Sequence, residues 1–128
     1  MLARSALALG LVLLAPAAAA QDCAPIPGLP RLLAQWHTNL EKWRGRAFLL
    51  TPGARLETDC GERVRVLMQW KQAIELWRRA SGLDEPALSV VADCRRTMEL
   101  LARWRYAIEL WYGGPLVPAP DVSTCLRA

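Results

Sequence analysis

Few residues of this sequence have the types and spacing that catalysis requires. His37 is the only histidine, and no motif supplies it with a nucleophile, a free thiol or a second metal ligand. Glu75 and Glu109 occupy matching positions near tryptophans and could be imagined as the carboxylate pair of a glycoside hydrolase. Each lies about 200° around a helix from the tryptophan that follows it, so the spacing predicts solvent-exposed glutamates instead. We therefore predict no catalytic residue, no metal site, no cofactor and no enzymatic activity.

Four cysteines form the second reactive set, and their separations of 37, 34 and 31 residues fit no zinc motif. An even number of cysteines in a small exported chain predicts two disulfides. In an antiparallel bundle, Cys94 lies near the start of the first helix and Cys60 lies near the returning tail. We therefore expect the pairs Cys23–Cys94 and Cys60–Cys125, whereas a Cys60–Cys94 bond would favour parallel, solenoid-like stacking.

All six tryptophans belong to an octet that occurs three times, at intervals of 34 residues. It reads WKQAIELW at residues 70–77 and WRYAIELW at 104–111, with a more polar copy, WHTNLEKW, at 36–43. Seven residues are almost two helical turns, so the two tryptophans of each copy lie on one face of an α-helix. A fixed period of this length is typical of stacked helical units, because no single helix can bury such a face alone.

The elements that carry these octets are predicted from the residues that begin and end helices. We place helices at about 29–50, 54–81 and 86–112, followed by a tail over 115–128 that is pinned across the bundle by Cys125. Short connections favour antiparallel neighbours. The predicted fold is therefore all-α: a small, disulfide-stapled antiparallel three-helix bundle built from a 34-residue repeat.

The same period occurs in tetratricopeptide repeats, whose first helix also separates two aromatic positions by seven residues. Such repeats consist of two short helices with a small residue at their crossing. Pro86, Val90 and Asp93 stand at the corresponding positions here, so we assign the chain to no family.

Residues 1–20 read as a signal peptide, with Arg4, an apolar core from Ala6 to Leu14, and a small-residue cleavage site at Ala18 and Ala20. We exclude them from the fold, which leaves residues 21–128 as a single helical domain. No later apolar run approaches the roughly 20 residues that a membrane span needs. We expect a periplasmic or secreted protein without a membrane span.

The first copy of the octet is the expected binding face. Asn39 and Lys42 replace the alanine and leucine that widen the apolar face of the other two copies. The first helix should therefore lie at the periphery, with Trp36, His37 and Trp43 available to bind a partner.

Charge indicates the kind of partner. The formal net charge of +4 is too small and too dispersed along the chain to indicate nucleic acid. Arginines outside the tryptophan stripes predict a solvated face that could also hold an acidic partner. These arginines are Arg63, Arg65, Arg78, Arg79, Arg95, Arg96, Arg103 and Arg105.

The leading functional hypothesis is an exported, non-enzymatic binding or interaction protein of the cell envelope. Its partner would be another envelope or extracellular protein, and the arginines favour one with an acidic surface. An alternative is a carrier or chaperone that holds an apolar ligand or an unfolded client between the tryptophan stripes. A small envelope hydrolase is the third possibility.

Overall fold

The computed structural model of this chain describes residues 23–126, so the predicted signal peptide lies outside the described residues. This part of the chain is mostly helical and contains no strand, which confirms the all-α class. The long helices are α1 (Leu29–Arg44), α2 (Cys60–Arg78) and α4 (Cys94–Tyr112), and α3 is a single turn at Leu88–Val91. Short 3-10 helices lie at Ala54–Glu57 and Val122–Leu126.

The long helices are shorter than predicted, because α1 ends at Gly45 and because aspartates cap the starts of α2 and α4. The Asp59 side chain accepts a hydrogen bond from the Glu62 amide, and Asp93 does the same for Arg96. These caps leave residues 45–59 and 79–93 as return segments that connect one long helix to the next. The predicted helix ranges 29–50, 54–81 and 86–112 therefore extended too far into the connections.

All three long helices run in the same direction. At their carboxyl ends, the ring centroid of Trp43 lies 4.5 Å from that of Trp77 and 5.3 Å from that of Tyr112. At the opposite end, Arg63 near the start of α2 donates to the Val91 carbonyl just before α4. An antiparallel α1 would place Trp43 at the start of α2, about 28 Å away.

The predicted antiparallel arrangement is therefore wrong. At about 3.3 Å per residue, each return segment is long enough to run back along the full length of a helix. The next helix can then start at the same end of the molecule as the previous one.

The predicted disulfide pairing, Cys23–Cys94 and Cys60–Cys125, is also wrong. The observed bonds are Cys23–Cys60, with a Cα–Cα distance of 5.9 Å, and Cys94–Cys125, with 5.7 Å. The starts of α2 and α4 lie at one end of the parallel arrangement, and the amino-terminal segment and the tail lie at the same end. Each bond therefore joins a helix start to one of these two segments.

The core takes corresponding residues from each long helix, and α1 is not peripheral as predicted. Three sets of residues, each spaced by 34, are completely buried: Leu33, Leu67 and Leu101; Trp36, Trp70 and Trp104; and Leu40, Ile74 and Ile108. Leu76 and Leu110, expected to widen the apolar faces of their helices, are 81 % and 68 % exposed.

Candidate functional site

Trp36 does not belong to a binding surface. Its side chain is completely buried, and its indole N–H donates to a backbone carbonyl in the tail. Because the other two buried indoles make the same kind of bond to return segments, this is a packing feature of all three long helices. The bonds, each 2.8 Å, are Trp36 Nε1 to Pro118 O, Trp70 Nε1 to Leu50 O and Trp104 Nε1 to Asp84 O.

His37 also has a structural partner. Its Nε2 lies 3.1 Å from the Leu49 carbonyl oxygen, and its ring centroid lies 6.0 Å from that of Trp70. A carbonyl only accepts, so Nε2 carries the proton and donates it. At the corresponding place on α4, Arg105 Nε donates to Val117 O over 2.9 Å. The structure therefore does not bring His37 and Trp36 together on an exposed face.

The glutamates of the octets were predicted to face solvent, and the structure overturns this prediction. In each case Oε2 accepts hydrogen bonds from two consecutive amides of the segment that follows the helix. The return segment covers the helix face that a single-helix projection assigns to water. The acceptor–donor sets are Glu41 with Phe48 and Leu49, Glu75 with Gly82 and Leu83, and Glu109 with Leu116 and Val117.

The hydrogen bonds of Glu75 stabilise the charged form of its carboxylate. Burial is the largest single influence on its ionisation and favours the neutral acid. The hydrogen bond from Lys71, over 2.9 Å, and those from the Leu83 and Gly82 amides together outweigh it. The pKa of Glu75 is therefore lowered from its ordinary value.

Trp43 is the one predicted binding residue that lies at a surface cluster. It is half-buried at the carboxyl ends of the long helices, where it packs edge-on against Trp77 and Tyr112. Phe48 joins them, with its ring centroid 5.6 Å from that of Trp77. We call Trp43, Phe48, Trp77 and Tyr112 the aromatic end.

Two arginines stack on these rings. The guanidinium carbon of Arg44 lies 5.7 Å from the centroid of Phe48 and 5.5 Å from that of Trp77. That of Arg78 lies 5.0 Å from Trp43 and 5.4 Å from Trp77. Cation–π attraction holds the charges beside the rings, while the buried Nε of Arg44 has no hydrogen-bond partner among the described residues.

Sequence reasoning missed this cluster, although it carried a signal. Trp43-Arg44 and Trp77-Arg78 are identical dipeptides at the same place in two copies of the octet. Each arginine follows the last residue of the octet, so it projects beside the tryptophans only if both helices end at the same place. An antiparallel prediction put these two dipeptides at opposite ends of the molecule.

The aromatic end is surrounded by cations that have no ion pair. Among the described residues, none of the five has a carboxylate oxygen within the 4.0 Å that defines an ion pair. The five, which we call the cationic set, are Lys42, Arg44, Arg46, Arg78 and Arg79.

The opposite end of the molecule has mixed charge. There, Arg55 pairs with Asp59 and Arg65 pairs with Glu62 at distances of 2.6 and 2.8 Å. Within the described part of the chain, Arg31, Arg95 and Arg96, near the helix starts, have no ion pair either, so the aromatic end holds the larger group of unpaired cations.

Exposed apolar side chains accompany the cations. Leu76 and Leu110 lie just before the ends of α2 and α4, and Tyr112, the last residue of α4, is 46 % exposed. Tyr112 also lines a shallow groove of about 350 Å³, together with Asn39, Lys42, Trp43 and Leu116. This end therefore offers aromatic, aliphatic and cationic groups together.

Within residues 23–126, no group of three or more histidine, cysteine, aspartate or glutamate side chains is placed to hold a metal ion. None of the described helices has the length and apolar character that crossing a bilayer requires. No protein-family model, curated protein or solved structure matches this chain.

Proposed function

We propose that this chain is an exported, non-enzymatic binding protein of the cell envelope that holds an anionic surface through its aromatic end and cationic set. The signal-like leader and the two disulfides support export to a periplasmic or extracellular space. The observation that carries the proposal is the concentration of five unpaired cations around exposed aromatic and aliphatic groups.

Electrostatics supports this choice of surface. Cations grouped without ion pairs repel one another, and they create a positive potential that attracts anionic partners over several ångströms. Arg44 and Arg78 are held in place by their stacking on rings, so less side-chain freedom is lost when they bind. The partner predicted from sequence, an envelope or extracellular macromolecule with an acidic surface, fits this field.

We further propose that the scaffold behind this surface consists of three copies of a 34-residue unit closed into a ring. The indole bonds support closure, because Trp70 and Trp104 each bond to the return segment before their own helix. Trp36, on the first helix, bonds instead to Pro118 in the tail. The tail thus takes the place of a return segment for the first unit.

The contacts of the candidate residues give less support to an enzyme or to a ligand carrier. His37, Glu75 and Glu109, which are the residues most suited to acid–base chemistry, are engaged by backbone groups. A carrier with its ligand between the tryptophan stripes would have to displace completely buried rings.

The test uses the oxidised chain without its signal peptide on immobilised polyglutamate, an acidic polymer of known chemistry. The variant Lys42→Gln/Arg46→Gln removes two cations from the aromatic end. The control Arg95→Gln/Arg96→Gln removes two unpaired, exposed cations from the other end. We expect the first variant to elute at clearly lower salt than the control. Equal elution of the two variants, or no retention of the parent protein, would contradict the proposal.

A further inference from the structure

We infer that the anionic surface met by this end is that of a lipid bilayer containing anionic headgroups. This inference rests on the proposed function and names its partner. The aromatic end and the cationic set would adsorb to the membrane surface shallowly and reversibly.

The apolar groups at this end distinguish a bilayer from an acidic polymer. Leu76 and Leu110 are 81 % and 68 % exposed, and a hydrated polyanion offers nothing in which to bury them. The boundary between headgroups and acyl chains accepts such aliphatic side chains. Tryptophan and tyrosine prefer the same depth, because their rings are apolar at one end and polar at the other.

The cations complete an arrangement that suits this boundary. Arginine and lysine can lay their aliphatic stems among apolar groups and hold their charges at the level of the phosphates. Arg44 and Arg78 already lie against aromatic rings. An anionic leaflet attracts such cations, each of which is expected to raise partitioning about fivefold near the surface.

The direction of the helices decides the orientation. Because the three long helices end together, their last residues form one blunt end. The helix starts at the other end carry the carboxylates of Asp59, Glu62 and Asp93. The molecule would therefore approach an anionic leaflet with the helix axes steeply inclined to the membrane plane and the aromatic end leading.

Vesicles provide the test. The oxidised chain without its signal peptide is mixed with vesicles of phosphatidylcholine alone or of phosphatidylcholine with phosphatidylglycerol, and sedimentation measures the bound fraction. We expect binding to the anionic vesicles that weakens with salt. Tryptophan emission should shift to the blue and be quenched by brominated acyl chains, because Trp43 and Trp77 are only half-buried.

Two pairs of variants locate the contact. Lys42→Gln/Arg46→Gln should lower partitioning about 25-fold, from the loss of two charges, whereas Arg95→Gln/Arg96→Gln should change it far less. Leu76→Gln should weaken binding and reduce the quenching. Leu88→Gln, an exposed leucine in α3, is the matched control and should do neither.

Each outcome is decisive. Salt-sensitive binding to anionic vesicles that depends on Lys42, Arg46 and Leu76 supports the inference. Retention on polyglutamate without binding to vesicles excludes a bilayer as the partner and remains consistent with the proposed function. Loss of both kinds of binding overturns the inference and the proposed function together. Equal effects of the site variants and their controls overturn the assignment of the aromatic end.

Discussion

Arg63 is the clearest case of a single residue whose environment decides its role. Its side chain is completely buried, and its guanidinium donates to the carbonyls of Leu56, Glu57 and Val91 over 2.6, 2.5 and 2.7 Å. It therefore ties the first return segment to the turn before α4. Burial lowers the pKa of Arg63 from its ordinary value, because no carboxylate pairs with it directly.

Replacing Arg63 should destabilise the fold strongly. Arg63→Met removes three charge-assisted hydrogen bonds and leaves their carbonyls buried, so we expect a loss of about 3 kcal/mol in the free energy of unfolding. The control Arg65→Met, two residues along the same helix, breaks an exposed ion pair and should cost less than about 1 kcal/mol. Denaturant titration of both variants measures the difference, and equal losses would contradict this role.

Glu75 should make stability sensitive to acid. Its pKa in the folded chain lies below the ordinary value of 4.5, so the unfolded chain binds the proton more readily. The stabilisation is therefore complete above about pH 4.5 and is lost as the pH falls through the folded pKa.

The variant Glu75→Gln tests this linkage. It should lower the free energy of unfolding by about 1–2 kcal/mol at neutral pH, and the difference from the parent should shrink below pH 4.5. Denaturation at several pH values measures it, with Glu99→Gln on the exposed side of α4 as the control for loss of one carboxylate. A difference that does not change with pH would contradict this account.

At the scale of the element, the ends of the long helices follow one rule with one exception. Gly45 and Gly113 end α1 and α4 in the left-handed conformation, both with φ +96°. Arg79 ends α2 in the same region, with φ +52°, and it is the only non-glycine residue with a positive φ among the described residues. A side chain in this conformation costs about 1–2 kcal/mol.

We expect Arg79→Gly to stabilise the chain by about 0.5–1 kcal/mol, since relief of the strain exceeds the added flexibility of the unfolded state. Gly113→Ala should do the opposite, by about 1 kcal/mol. Its new Cβ would meet no atom within 4 Å, so only the backbone conformation is tested. Thermal or chemical denaturation gives both values. A destabilised Arg79→Gly variant would show that contacts of the arginine side chain outweigh the strain.

At the scale of the whole molecule, the return segments convert three helices into a parallel assembly. Each segment receives bonds from the glutamate of the preceding helix and from the buried tryptophan of a neighbouring helix. The Glu75 carboxylate binds the amides of Gly82 and Leu83, and the Trp104 indole binds the carbonyl of Asp84. The helices are thus joined through their connections as well as through the core.

The disulfides should be Cys23–Cys60 and Cys94–Cys125. Mass spectrometry of peptides from the unreduced protein should find these two pairs, and a Cys23–Cys94 peptide would contradict this pairing. The loops span 37 and 31 residues, so removing either bond by paired serine substitutions should cost about 4 kcal/mol. The two double variants should be similarly destabilised, because the loop lengths are similar.

The sequence by itself determined the features that depend on a few neighbouring residues. The tryptophan spacing predicted three helices with buried faces, and the even cysteine count predicted two disulfides. Gly113 is a recognisable helix stop, and the third predicted helix ended correctly at residue 112. Asp59, followed by Glu62, also resembles a helix start, but the predicted range began at residue 54. The predicted range of the third helix was wrong only at its start. Pro86 resembles a helix start, whereas Asp93 provides the actual cap.

Only the tertiary structure decided the direction of the helices, and several features follow from it. The direction of a helix depends on where the return segment before it packs. That packing is decided by contacts between residues far apart in the sequence, which no local pattern shows. The disulfide partners, the sheltered glutamates and the meeting of Trp43 with Trp77 all result from that packing. The candidate site could not be located from sequence for this reason: its residues come together only when the helices end at the same place.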